Sequence, residues 1–155
     1  MVESNDNAGI ITHPPFFYLA AAIVATIADK VYPLKYNAGQ MLEYAGIVIF
    51  VLGVALFVTA SKFFRINKQS PSVHAKTVKI YTSGIYGRTR NPLYLGVTIW
   101  MVAASFYFDN VWLVIVTVPL IVFMNKMVIE KEEAYLERTF GVEYLDYKKK
   151  VRRWI

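Results

Sequence analysis

The chain has no cysteine among its 155 residues. Disulfides, thiolate catalysis, zinc–thiolate sites and iron–sulfur clusters are therefore excluded together. Histidine is nearly as scarce: His13 and His74 stand alone and far apart. Such a pair makes a poor metal site, and we expect no bound metal. Positive charge is missing from the first residues, where Glu3 and Asp6 stand instead. The apolar run that follows ends at Asp29-Lys30 and not at a small-residue cleavage site. A secretory signal is not expected, and no lipid-attachment motif is seen.

Charge is also absent over long stretches. Residues 44–61 and 92–108 carry none. What fills them is apolar: hydrophobic residues make up 56% of the chain, and the mean hydropathy is +0.39. A soluble domain of this length cannot hide that much apolar surface in one core, whereas a lipid-facing chain does not need to. A bilayer core about 30 Å thick takes about 20 apolar residues as helix, with a working range of about 17 to 25. Residues 14–32, 41–61, 92–108 and 111–129 approach or meet that length. We expect an all-α integral membrane protein with a single domain over 1–155 and about four transmembrane helices. A cytoplasmic amphipathic helical segment over 130–151 completes it.

Local signals agree with these bounds. Pro14-Pro15 and Pro92 suit first helical turns, where a missing N–H costs little. Pro33 closes the first span, and Asp109-Asn110 makes a tight turn between the last two. Pro119 predicts a kink. Gly46 and Gly53 lie seven apart on one face, where a neighbouring helix can approach closely. That face suits internal packing or a dimer equally. Beyond the last span, Val128, Glu132, Tyr135, Leu136 and Thr139 share a side, Glu130, Glu133 and Glu137 line another, and Gly141 is placed to end the helix.

The basic residues sort by side. Residues 61–91 hold seven and no acid, and residues 126–155 hold eight with six acids. Basic loops stay cytoplasmic, so both segments and the N-terminus are assigned to the cytoplasm, and Asp109 to the other side. The expected location is a prokaryotic plasma membrane. The bilayer is thus the expected partner of the +6 net charge, with anionic headgroups meeting a basic rim. Nucleic acid is not, because no soluble module interleaves bases with aromatic platforms.

Two polar segments exceed what a membrane anchor needs. The run Thr82–Gly96 is a glycine-containing loop that feeds into a helix start, where free N–H groups can meet a polar ligand. Its plainer reading is a basic juxtamembrane anchor. Glu132 sits among apolar neighbours on its helix and is expected to be buried or liganding, whereas Glu130 and Glu137 read as a solvated stripe.

These segments carry a resemblance. The run Gly84-x-Tyr86-x-x-x-Arg90-Asn91-Pro92-x-Tyr94-x-Gly96 is similar to a signature of the isoprenylcysteine carboxyl methyltransferase and phospholipid methyltransferase superfamily. So is Glu132-Glu133-x-x-Leu136-x-x-x-Phe140-Gly141-x-x-Tyr144-x-x-Tyr147-x-x-x-Val151. The likeness covers roughly residues 41–155. It implies an integral membrane enzyme that uses S-adenosylmethionine at the cytoplasmic end of the bundle and takes a lipophilic or lipid substrate from the bilayer. Position by position, it implies catalytic roles for Glu132 and Arg90. It implies cofactor contacts from Tyr86, Asn91, Tyr94, Leu95, Gly96, Glu133, Tyr144 and Tyr147. Two positions depart from the pattern: relatives often have histidine at Asn91, and the isoprenylcysteine enzymes have arginine at Val128. The missing cation at Val128 tells against a prenylcysteine carboxylate as acceptor; an amine, another carboxylate, a thiol and a phenol all stay open. Rival readings are a nicotinamide-dependent membrane reductase of related fold and a non-enzymatic membrane protein.

Overall fold

The computed structural model describes residues 13–66 and 79–155. Lys68, His74 and Lys76 of the basic loop, with Glu3 and Asp6, lie outside the described residues. Within these residues six α-helices follow in order: α1 (Pro15–Val31), α2 (Gln40–Ile66), α3 (Pro92–Tyr107), α4 (Val111–Met124), α5 (Glu130–Phe140) and α6 (Val142–Lys150). A 3-10 turn at Gly84–Gly87 precedes α3, and a π-helical turn at Asn125–Ile129 joins α4 to α5. Among the described residues there is no strand.

Among the described residues, two helices are long and apolar enough to cross a membrane: α2, and the continuous helix Val111–Phe140. Only 11% of the apolar window of α2 is buried, which separates it from the core helix of a soluble protein. Met41, Ile47, Val48, Val51, Leu52 and Val58 stand exposed along it. In water that surface would be costly; in lipid it is solvated. The apolar part of the second helix ends at Ile129, where charged α5 begins. α1 and α3 are 17 and 16 residues long.

The bundle is built around α3, which packs on α2 along one side and on α4 along the other, while α1 lies mainly on α4. The expected glycine face serves α3. A Cβ at Gly46 would stand 2.8 Å from the Tyr107 backbone nitrogen, and one at Gly53 would stand 2.7 Å from the Trp100 ring. Because Gly46 meets backbone, the helices themselves must move to admit a side chain. Gly46→Val is expected to cost about 1–3 kcal/mol, as overpacking does, read as a lowered unfolding temperature in detergent.

Helix ends follow local chemistry. Asp109 takes a left-handed conformation at φ 49°, and its carboxylate accepts from the backbone N–H of Tyr36 and Asn37. The α1–α2 connection is thereby fastened to the α3–α4 turn. Gly141, at φ 53°, ends α5 where a side chain would be strained. Pro119 lies inside α4. The departure from α geometry comes later, at residues 125–129, where the Glu130 N–H reaches back to the Asn125 carbonyl.

Candidate active site

The polar residues converge at one end of the bundle, where the 3-10 turn, the start of α3, α5, α6 and the final residues meet. The centre of this region is an ion-pair clamp. Arg90 Nη2 lies 2.8 Å from Glu133 Oε1, with side-chain exposures of 8% and 5%. Arg153 closes on the same carboxylate from the other side, with Nε 3.1 Å from Oε1 and Nη2 2.9 Å from Oε2. Burial alone would raise the Glu133 pKa, but Arg153 and Arg90 overcome it and hold the group below the ordinary carboxylate range. Arg90 also donates through Nη1 to the carbonyls of Lys148 and Val151, at 2.9 and 3.1 Å. It therefore fastens the end of α6 as well as pairing with Glu133.

The acidic stripe of α5 is only partly solvated: Glu130 stays exposed, whereas Glu133 is buried and Glu137 half-buried. Glu130 pairs with Arg153, Glu133 with both arginines, and Glu137 with Lys148. The sequence supplies this match as three glutamates facing the basic run Lys148–Arg153, but only the reversal at Gly141 brings them together.

The last residues are woven into the loop before α3. Arg90 N–H donates to the Arg152 carbonyl at 3.0 Å. The Arg153 carbonyl accepts from Thr89 Oγ1 at 3.1 Å and from Asn91 Nδ2 at 3.0 Å. Trp154 Nε1 donates to Asn125 Oδ1 in the π turn at 3.0 Å. Asn91 thus holds the tail. Thr89 and Arg153 carry as many contacts as the motif residues, yet no local pattern singles them out; the only sequence signal is the unusual density of bases before Trp154.

Glu132 occupies a different environment. It is half-buried, and the Tyr94 hydroxyl donates to its Oε2 at 3.1 Å. Lost hydration pushes its pKa up, the Tyr94 bond pulls it down, and the charge of Glu133 pushes up again; the result is about 7. Two adjacent carboxylates are thereby driven apart, one fixed as an anion and one poised near neutrality.

Tyrosines enclose this carboxylate. Tyr86, Tyr144 and Tyr147 are all buried. The Tyr147 hydroxyl donates to the Tyr86 carbonyl at 2.7 Å, and the Tyr144 and Tyr147 rings meet edge-on with centroids 5.9 Å apart. Burial raises Tyr147 to about 12. It also raises Tyr86 and Tyr144, with the charges of Glu132 and Glu133 contributing. All three remain neutral hydroxyls at physiological pH. Of the remaining motif positions, Gly96 faces α2, where a Cβ would stand 3.3 Å from Phe57 Cβ and 3.4 Å from the Gly53 carbonyl. Leu95 is half-buried on α3. The structure does not bring Gly96 to the polar cluster; it brings it to the helix crossing.

Residues 41–143, well over half of the chain, match the phospholipid methyltransferase family. The chain belongs to that family. Within the isoprenylcysteine and phospholipid methyltransferase superfamily, it is 32% identical over 115 residues to protein-S-isoprenylcysteine O-methyltransferase of Rattus norvegicus, covering 71% of this chain and 39% of the relative. The Xenopus laevis protein of the same name is 31% identical over 150 residues, 92% of this chain and 51% of the relative. An uncharacterized protein of Haemophilus influenzae is 38% identical over 65 residues, 41% of this chain and all of that protein. The chain spans about two fifths to one half of the length of the animal relatives it matches. No solved structure matches it.

Membership of a methyltransferase family implies a methyl donor. S-adenosylmethionine presents a carboxylate, an ammonium, ribose hydroxyls and a sulfonium. The donor set fits such a molecule: Arg90 Nε is buried with no partner, the neighbouring Glu132 of α5 holds a carboxylate against Tyr94, and the neutral Tyr86 and Tyr144 lie near that carboxylate. Rings of this kind favour a cation against their faces.

Proposed function

We propose that this chain is an S-adenosylmethionine-dependent methyltransferase acting on a lipophilic acceptor at the cytoplasmic membrane face. The observation that carries the reading is the pairing of Tyr94 with Glu132 inside a tyrosine-lined site, beside an arginine with an unused buried donor. In this reading the chain crosses the bilayer four times, with α1, α2, α3 and α4 as the spans. Helices α5 and α6 and the basic residues stand on the cytoplasmic side.

Tyr86, Asn91, Tyr94, Glu133, Tyr144 and Tyr147 would hold the cofactor, with Leu95 and Gly96 shaping the helix beneath it. When bound, S-adenosylmethionine supplies an already activated methyl group. The protein's own task is then alignment and exclusion of water. Arg90 holds the end of α6 over the site. Glu132, poised near neutrality, takes the proton released by an acceptor that carries one. A bound carboxylate acceptor would instead require a cation, and Arg90 and Arg153 are already paired with Glu133.

Calorimetric titration of the detergent-purified protein with S-adenosylmethionine and S-adenosylhomocysteine tests this directly. Micromolar binding is expected, weakened at least about tenfold, or about 1.4 kcal/mol, in both Asn91→Ala and Glu132→Ala. A folded sample that binds neither compound would end the proposal.

A further inference from the structure

The family match begins at residue 41, so α1 lies outside it, and none of the motif residues belongs to α1. Yet one α1 side chain reaches the candidate site. Tyr18 is only 4% exposed and packs in the core with Met101, Met124, Val128 and Tyr135. Its hydroxyl lies 3.0 Å from Thr98 Oγ1 and 3.4 Å from the Tyr94 carbonyl. Thr98 Oγ1 donates to that same carbonyl at 2.8 Å. Two hydroxyls from different helices thus converge on the backbone of the one residue whose side chain holds Glu132. A phenol is an expensive choice for this place. Phenylalanine would fill the apolar space equally, and a buried hydroxyl is tolerated only where it is bonded.

We propose that Tyr18 is a positioning residue of the active site: its hydroxyl fixes the first turn of α3, from which Tyr94 reaches Glu132. α1 is then a functional part of the enzyme and not an accessory anchor. The catalytic consequence rests on the function proposed above, but the contact itself is testable without cofactor or acceptor.

The test follows the carboxyl band of protonated Glu132 by infrared spectroscopy across pH, the band being assigned by its loss in Glu132→Gln. The groups facing Glu132 are Tyr94 from α3, Glu133 on its own helix, Tyr86 from the 3-10 turn and Tyr144 from α6, and the Tyr18→Phe variant retains all of them. The Tyr94 bond lowers the Glu132 midpoint, so loosening Tyr94 must raise it. Tyr18→Phe is expected to raise the midpoint by about half a unit and Tyr94→Phe by more, since a lost hydrogen bond to the charged form disfavours it. The double variant should go no higher than Tyr94→Phe alone, the signature of two groups acting through one contact. Phe17→Ala removes the neighbouring ring that packs on Phe123, and should lower the unfolding temperature without moving the midpoint. A Tyr18→Phe midpoint equal to that of the parent protein, or shifts that simply add in the double variant, would overturn the inference. Failure to bind S-adenosylmethionine would overturn the proposed function and leave this result standing.

Discussion

Replacing Glu133 with alanine is expected to destabilise the protein by about 3–5 kcal/mol, the usual loss when one partner of a buried ion pair is removed. Arg90 would keep its charge at 8% side-chain exposure with only two carbonyls for company. Arg153 would retain Glu130, whose contact is long at 3.6 Å and half exposed. The companion substitution Glu130→Ala should cost no more than about 1 kcal/mol, because exposed pairs contribute little. Thermal unfolding in detergent separates the two. The pair Arg90→Met with Glu133→Leu should recover part of the loss, since an apolar replacement leaves no orphaned charge. Equal effects of Glu130→Ala and Glu133→Ala would show that the clamp is solvated and not structural.

The second large effect falls on chemistry. Glu132→Gln is expected to lower methyl transfer by about 10²–10⁴-fold, the usual contribution of a positioned general base. Transfer of label from methyl-labelled S-adenosylmethionine into a lipid extract provides the assay. The parent protein should gain activity as pH rises through about 7, because only the ionised carboxylate can accept a proton, and that limb should vanish in the variant. Stability runs the other way. The folded pKa of Glu132 is raised above the ordinary carboxyl value of about 4.5. Its contribution is therefore fully present below that value and is lost as pH rises through about 7. Glu132→Gln should consequently be more stable than the parent at pH 8 and closer to it at pH 5. A variant with undiminished transfer would remove Glu132 from the mechanism.

The helices were legible because each apolar run ends on something physical. Pro92 opens α3, Asp109-Asn110 divides α3 from α4, and Gly141 divides α5 from α6. α2 runs past the expected end at residue 61 to Ile66, since Lys62 and Arg65 are tolerable in a helix that leaves the bilayer and nothing before Ile66 breaks it. The Tyr94–Glu132 contact could be anticipated as two motif positions of one site. The role of Arg153 could not, because its partners are 20 and 62 positions away and depend on the chain turning back. Tyr18 was equally hidden: nothing in the apolar run around Phe16 and Phe17 points to Thr98, 80 positions away. The π turn left no trace in composition. Nothing in Asn125–Ile129 distinguishes it from ordinary helix.

That turn acts as a phase shifter. A π turn accommodates one more residue than the α turn it replaces, which rotates everything beyond it by about 100° relative to an unbroken helix. The apolar pattern of α4 and the charged pattern of α5 can therefore be set independently, although they share one rod. A chain shortened by a single residue here, at exposed Met127 for instance, would close the π turn to an ordinary α turn and keep Glu132 on the side of Tyr94. The turn is thus a slack link: the loss of one residue is taken up where the helix is widest, and the site keeps its orientation.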